Sequence, residues 1–249
     1  MPSTSDLIDR TTIVVGASRG LGRGIATAFA DNGAPVVAVA RTGEAIAALA
    51  AACDAIRAEP ADASDPSVAR DLLTRHAPAV VVLVAGARPP ILPLQQQTWE
   101  TFSVNWHADV QIAFHWLRQI LVDPLRPGSR VIVISSGAAL RGSPLSGGYA
   151  GAKATERFIT AYAQEEATRA KLGILFTTIL PQITPMTDLG RPAVEAYAAR
   201  NGQSVQEYMR RFGEPVTPAG AGAAVLQLAQ ADGIAPAYLL TGAGIRELA

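Results

Sequence analysis

The sequence has little with which to build metal or disulfide chemistry: one cysteine, Cys53, and three histidines in 249 residues. A lone cysteine excludes an internal disulfide and a cysteine zinc cluster, and it fits a reducing compartment, of which the cytoplasm is the simplest. His76, His107 and His115 have no acid or cysteine at ligand spacing, so no metal site is expected. Lysine plus arginine and aspartate plus glutamate both number 21, a net charge of zero. With no bulk field to hold nucleic acid or an anionic membrane surface, any charged ligand must be held by local groups. The longest apolar stretch, Ala79 to Ala87, is far too short to span a bilayer, and Met1 to Arg10 is polar with no signal core, so a soluble protein is expected. Aromatic residues are only 6% of the chain, and Trp99, Trp106 and Trp116, at near-helical spacing, read as packing residues.

What the chain does have is apolar surface: 49% hydrophobic residues, ample for one core and one domain at this length. Short β-branched runs recur at Thr12 to Val15, Pro35 to Ala40, Val80 to Val84, Arg130 to Ile134 and Leu175 to Ile179, with weaker ones at Ala55 to Ala58 and Tyr238 to Leu240. Their apolar residues are successive rather than alternate, which requires cover on both faces and points to a parallel sheet. Helical stretches separate them, among them Gly20 to Asn32, Glu44 to Cys53, Thr98 to Val122, Tyr149 to Lys171 and Ala219 to Ala231, long enough for right-handed crossovers. The expected fold is a single α/β domain of Rossmann type, doubly wound, with about seven parallel strands. Thr184 to Glu214 does not fit the alternation. It reads as a substrate lid whose Met186, Leu189, Tyr197, Tyr208, Met209 and Phe212 suit a largely apolar small-molecule ligand.

Directly after the first strand stands Gly16-Ala17-Ser18-Arg19-Gly20-Leu21-Gly22, opening into a helix. Glycines allow a tight turn and close approach to a pyrophosphate, whose charge then rests on free amides at the positive end of the helix. An NAD-selective site carries an acid at the tip of the second strand to bind the adenosine ribose, but here that strand ends in Ala40-Arg41. Arg41 with Arg19, and no carboxylate, favour a 2′-phosphate and hence NADP(H).

Downstream of the fifth strand come Ser135-Ser136 and then Tyr149-Ala150-Gly151-Ala152-Lys153. Residues four apart share a helix face, so the tyrosine and lysine can enter one cleft. A phenol with a pKa of about 10 is a poor proton carrier at neutral pH, and the ammonium of Lys153 is placed to stabilise its phenolate. Ser136 is placed to hold a developing alkoxide. Asn105, inside the helix expected after the fourth strand, offers a buried amide for a water leading from Lys153 to solvent.

Together these motifs resemble the short-chain dehydrogenase/reductase family, and the resemblance runs from Ile13 to Gly242. It implies a reversible hydride transfer between nicotinamide and a carbonyl or alcohol substrate. The implied roles are Asn105 as relay anchor, Ser136 as substrate positioner, Tyr149 as acid/base, and Lys153 as ribose binder and depressor of the phenol pKa. It also implies cofactor contacts from Asp62, whose other reading is a turn or helix cap, and from Ala85, Gly86, Pro181, Ile183 and Thr184. Two departures stand out. Leu83-Val84-Ala85-Gly86 replaces an Asn-Asn-Ala-Gly segment whose amides brace the sheet, and Gln182 replaces a glycine after Pro181. Those departures leave open a cofactor-binding regulator without activity, and a bound cofactor also leaves open an epimerase or dehydratase. The helices beginning near Thr98 and Tyr149 correspond to the family's dimer- or tetramer-forming face, although ordinary helix-on-sheet packing accounts for their apolar stripes equally well.

Overall fold

Seven strands run parallel and an eighth antiparallel, in the order β3-β2-β1-β4-β5-β6-β7-β8, in a computed structural model that describes residues 10–248. The polar N-terminal stretch, apart from Arg10, lies outside the described residues. The strands are β1 (Thr12–Val15), β2 (Val36–Ala40), β3 (Ile56–Pro60), β4 (Val80–Leu83), β5 (Arg130–Ile134), β6 (Leu175–Pro181), β7 (Ala237–Thr241) and β8 (Gly244–Glu247). β1 and β4 are buried at every position, as runs without polar alternation require. Strand order reverses between β1 and β4, the point where crossover loops part and leave a crevice at the strands' C-terminal ends. The eighth strand was not expected. It pairs Leu240 with Ile245 and closes the sheet edge.

Helices cover both faces. On one side α1 (Gly20–Asp31), α2 (Gly43–Ala51) and α10 (Pro218–Gln230) pack against Val14, Val36, Val82 and Ile132 through residues such as Ile25, Phe29, Ile46 and Leu228. α1 and α10 touch backbone to backbone: a Cβ on Gly24 would stand 2.1 Å from the Pro218 oxygen. On the other side α3 (Pro66–His76), α5 (Gln111–Val122) and α7 (Tyr149–Arg169) pack on Ile13, Val81, Val131 and Phe176. Only Trp116 of the three tryptophans is a core residue, fully buried with its Nε1 donating to the Ala63 oxygen at 3.1 Å. Trp99 is 70% exposed and stacks on Phe102, and Trp106 is 40% exposed, so packing does not describe these two.

The single helix expected from Thr98 to Val122 is three pieces: α4 (Trp99–Ser103), a π-helical turn (Trp106–Val110) and α5. Thr98 starts α4 with a reciprocal capping box to Thr101. π-turns interrupt helices where side chains must be re-aimed, and this one follows Asn105 and carries Asp109, two fully buried polar residues. The segment 184–214 contains α8 (Gly190–Arg200) and α9 (Val205–Arg210) around a small core of its own, Val194, Ala198 and Tyr208, joined by Tyr197, Met209 and Phe212. The remaining short helix, α6 (Ala138–Arg141), follows β5. Among the described residues, no helix is long and apolar enough to cross a membrane.

Candidate active site

A cavity of about 950 Å³ opens along the C-terminal ends of the strands, from the β1–α1 loop to the segment before α8. Gly16 has φ +97°, and a Cβ there would lie 2.6 Å from the Ala85 nitrogen; at Gly22 it would lie 2.1 Å from the Gly16 oxygen. Only glycine permits this approach of three backbone segments. α1 begins with no side-chain cap, which leaves its first-turn amides, at Gly20 to Gly22 on the cavity wall, for a bound anion. Thr187, which the sequence did not single out, closes over this loop, since a Cβ on Gly20 would meet its methyl at 3.5 Å.

Arg19 and Arg41 are both exposed and both line the same end of the cavity. Asp62 lines it too, and its carboxylate accepts from the Ser64 amide at 3.0 Å and hydroxyl at 2.7 Å. Those hydrogen bonds from Ser64, with Arg41 contributing, hold its carboxyl below the usual range. The turn reading of Asp62 is therefore realised in a residue that also faces the cavity. The helix cap nearby is Asp65, which accepts from Ser67 at 2.8 Å.

At the other end, Tyr149 opens α7 and Ser136 lies in the loop after β5, both on the cavity wall, with Ser136 Oγ accepting from the Ala138 amide at 3.2 Å. Lys153, one turn on, places its Nζ 5.8 Å from the centre of the Tyr149 ring. Ala85, Gly86, Pro181, Ile183 and Thr184 line the wall with them. Thr184 is held by a 2.7 Å bond from its hydroxyl to the Val216 oxygen, and Gln182 by its backbone N–H donating to the Leu240 oxygen at 2.8 Å.

Asn105 is different. It is absent from the cavity wall, and its Nδ2 donates to the Ala87 oxygen at 2.8 Å and to Asp109 Oδ1 at 3.1 Å. Asp109 Oδ1 in turn accepts from the Ala87 amide at 2.8 Å. One residue therefore holds the carbonyl, and its neighbour on the π-turn the amide, of the loop after β4. This supplies the brace that Leu83-Val84 lacks. The contact of Lys153 on this side is to Asp109 rather than Asn105: Lys153 Nζ lies 3.0 Å from Asp109 Oδ2, and 3.0 Å from Glu156 Oε2 on its own helix. A weaker bond of 3.4 Å reaches the Ile134 oxygen.

All three charged groups are buried, with 1% of Asp109, 4% of Lys153 and 3% of Glu156 exposed. Burial would lower the Lys153 ammonium, but Asp109 and Glu156 more than reverse it, and its pKa lies well above the ordinary value. Burial pushes the Glu156 carboxyl up to about 8 against the pull of Lys153. Tyr149 is also raised: burial dominates, Lys153 and Ser136 pull it down, and Asp109 and Glu156 add to the rise. Lys153 thus pulls the phenol pKa down, and burial, which disfavours the phenolate, outweighs that pull with the two acids adding to the rise.

The segment over the cavity is tied down by Tyr197, whose hydroxyl accepts from the Leu145 amide at 3.0 Å and bonds Ser143 Oγ at 2.8 Å. Leu189, Tyr197, Tyr208 and Phe212 face the cavity together with Arg211, whereas Met186 and Met209 do not. Among the described residues, no cluster of three histidine, cysteine, aspartate or glutamate side chains could hold a metal ion.

Residues 10–198 match the family model described as short chain dehydrogenase. The chain is 27% identical to D-erythrulose reductase of Gallus gallus over 186 residues, covering 73% of this chain and 74% of that protein. It is also 27% identical to a 3beta-hydroxysteroid dehydrogenase of Mediterraneibacter gnavus over 225 residues, covering 81% and 78%. A dehydrogenase/reductase from Sinorhizobium meliloti 1021 shares the fold, with TM-score 0.77 at 23% identity and 94% of each chain covered.

Proposed function

Since the chain belongs to the short-chain dehydrogenase family, whose members are oxidoreductases using a nicotinamide cofactor, we propose that it is an NADP(H)-dependent reductase of a small carbonyl compound. The observation that carries this reading is one continuous cavity with two cations at one end and Ser136, Tyr149 and Lys153 together on its wall at the other. The donor set fits a pyridine dinucleotide: glycines whose Cβ positions are already taken, uncapped α1 amides, and arginines suited to a 2′-phosphate. Gly16, Ser18, Arg19, Gly20, Leu21, Gly22, Arg41 and Asp62 would hold the adenosine and phosphates, with Ala85, Gly86, Pro181, Ile183 and Thr184 along the nicotinamide half. When bound, this group supplies the hydride.

The chain's own residues supply the rest. Ser136 donates to the carbonyl oxygen and holds the alkoxide as charge develops. Tyr149, whose raised pKa keeps it protonated at neutral pH, gives its proton to that oxygen, and the product is an alcohol. Lys153 stabilises the phenolate left behind. Leu189, Tyr197, Tyr208 and Phe212 form a mostly apolar roof, with Arg211 stacked over Tyr208 at 3.9 Å, suited to a largely apolar substrate under a lid formed by 184–214. A homodimer or homotetramer is supported by exposed Phe114 and Val122 on α5 and Phe158 and Tyr162 on α7, an apolar face that monomers seldom leave open. The single cysteine supports a cytoplasmic location.

Loss of NADPH absorbance over a panel of ketones, quinones and aldehydes tests the assignment. Turnover that falls at least about a hundredfold in Tyr149→Phe, the scale of one general acid, is expected. NADPH binding without turnover on any substrate would favour the regulator instead.

A further inference from the structure

Lys153 has three N–H donors, and two of its partners are buried carboxylates that the reaction described above does not use. Asp109 reaches it from the π-turn at 3.0 Å and Glu156 from one turn further along α7 at 3.0 Å. The Ile134 oxygen on β5 is the third contact, at 3.4 Å. The charged groups acting on Tyr149 are these same three: Lys153, Asp109 and Glu156. Two acids on one buried ammonium exceed what is needed to satisfy it, and an unbalanced carboxylate is costly in an interior. An arrangement of this kind changes the field at whatever the ammonium faces.

We propose that Asp109 and Glu156 are positioning residues that fix Lys153 and cancel much of its field at Tyr149, holding the phenol in its proton-donating form. This rests on the reading of Tyr149 as the acid/base. Reduction then uses a neutral tyrosine across the physiological range, while alcohol oxidation, which needs the phenolate to accept a proton, is pushed to alkaline pH. Asp109 ties this control to the nicotinamide side of the cavity, because the carboxylate that binds Lys153 also accepts from the Ala87 amide. It also fills the space beside Gly86, where a Cβ would stand 2.6 Å from Asp109 Oδ2. Glu156 supplies the adjustable part. With its carboxyl raised to about 8, it is neutral below that pH and adds a negative charge above it, so the field of the ammonium is weakest where the phenol would otherwise ionise.

The test reads Tyr149 directly, without turnover. Phenolate absorbance is titrated in the wild-type protein and in Glu156→Gln, each measured as the difference from the same protein carrying Tyr149→Phe. Removing one negative charge at an effective dielectric of about 20 moves the Tyr149 inflection down by about one pH unit, a tenfold change in phenolate at a given pH. Asp109→Asn, which keeps an acceptor for the Ala87 amide, gives a shift in the same direction and serves if Glu156→Gln folds poorly. An inflection that stays in place or rises in both variants overturns the proposal. Undiminished reductase turnover in Tyr149→Phe strikes the acid/base assignment instead, and leaves the titration to be read on its own.

Discussion

Replacing Lys153 by methionine separates the structural work of the buried cluster from its chemistry. The substitution keeps a long unbranched side chain in the space but leaves Asp109 and Glu156, 1% and 3% exposed, without their common counter-ion. Removing one partner of a buried ion pair costs about 3–5 kcal/mol. For a chain of this length each kcal/mol moves the melting temperature by roughly 2–4 °C, so thermal unfolding at pH 7 should fall by roughly 6–20 °C. The deficit has a pH signature. Glu156 has a folded pKa above its unfolded one, so the folded state binds the extra proton and the loss shrinks on acidification. The same linkage holds in the wild type: the contribution of Glu156 is full below the unfolded value of 4.5 and is lost as pH rises through about 8. Neutralising both acids in Lys153→Met/Asp109→Asn/Glu156→Gln should restore most of the lost stability at pH 7. A single-variant loss under about 1 kcal/mol, or one that does not change between pH 5 and 8, would refute the picture of a charge cluster held together by Lys153.

Two further outcomes follow from other parts of the cavity. Arg41→Asp should weaken NADPH binding roughly 10- to 100-fold, the loss of one charge-assisted phosphate contact, with little change for NADH; equal losses in fluorescence titrations would show that Arg41 does not read the phosphate. Tyr197→Phe removes the acceptor for the Leu145 amide and the partner of Ser143, so limited proteolysis between α8 and α9 should accelerate and KM rise. Unchanged cleavage would mean that this latch does not hold the segment.

The sequence announced the features whose chemistry is local. A glycine loop between an apolar strand and a helix, and a tyrosine and lysine one turn apart, kept their meaning when folded because neighbours in sequence made them. What it concealed depended on distant partners. Asp109 and Glu156 belong to none of the sequence motifs, and burial against Lys153 gives them their character, although their spacing from Asn105 and Lys153, at i+4 and i+3, is an available sign. The π-turn was invisible because its residues keep a helical apolar pattern. β8 is four residues, Gly-Ile-Arg-Glu, half exposed at a sheet edge, with no apolar run to mark it. Trp99 and Trp106 shared a helical period with Trp116, but the break between α4 and α5 turns them outward.

Deuterium transfer from NADPH labelled at the nicotinamide C4 to a ketone substrate, followed by mass spectrometry of the alcohol, tests the central claim most directly. The wild-type product should carry one deuterium on the carbinol carbon, and Tyr149→Phe should form it at least about a hundredfold more slowly with nucleotide binding intact. An unlabelled product, or undiminished labelling in Tyr149→Phe, would contradict the account.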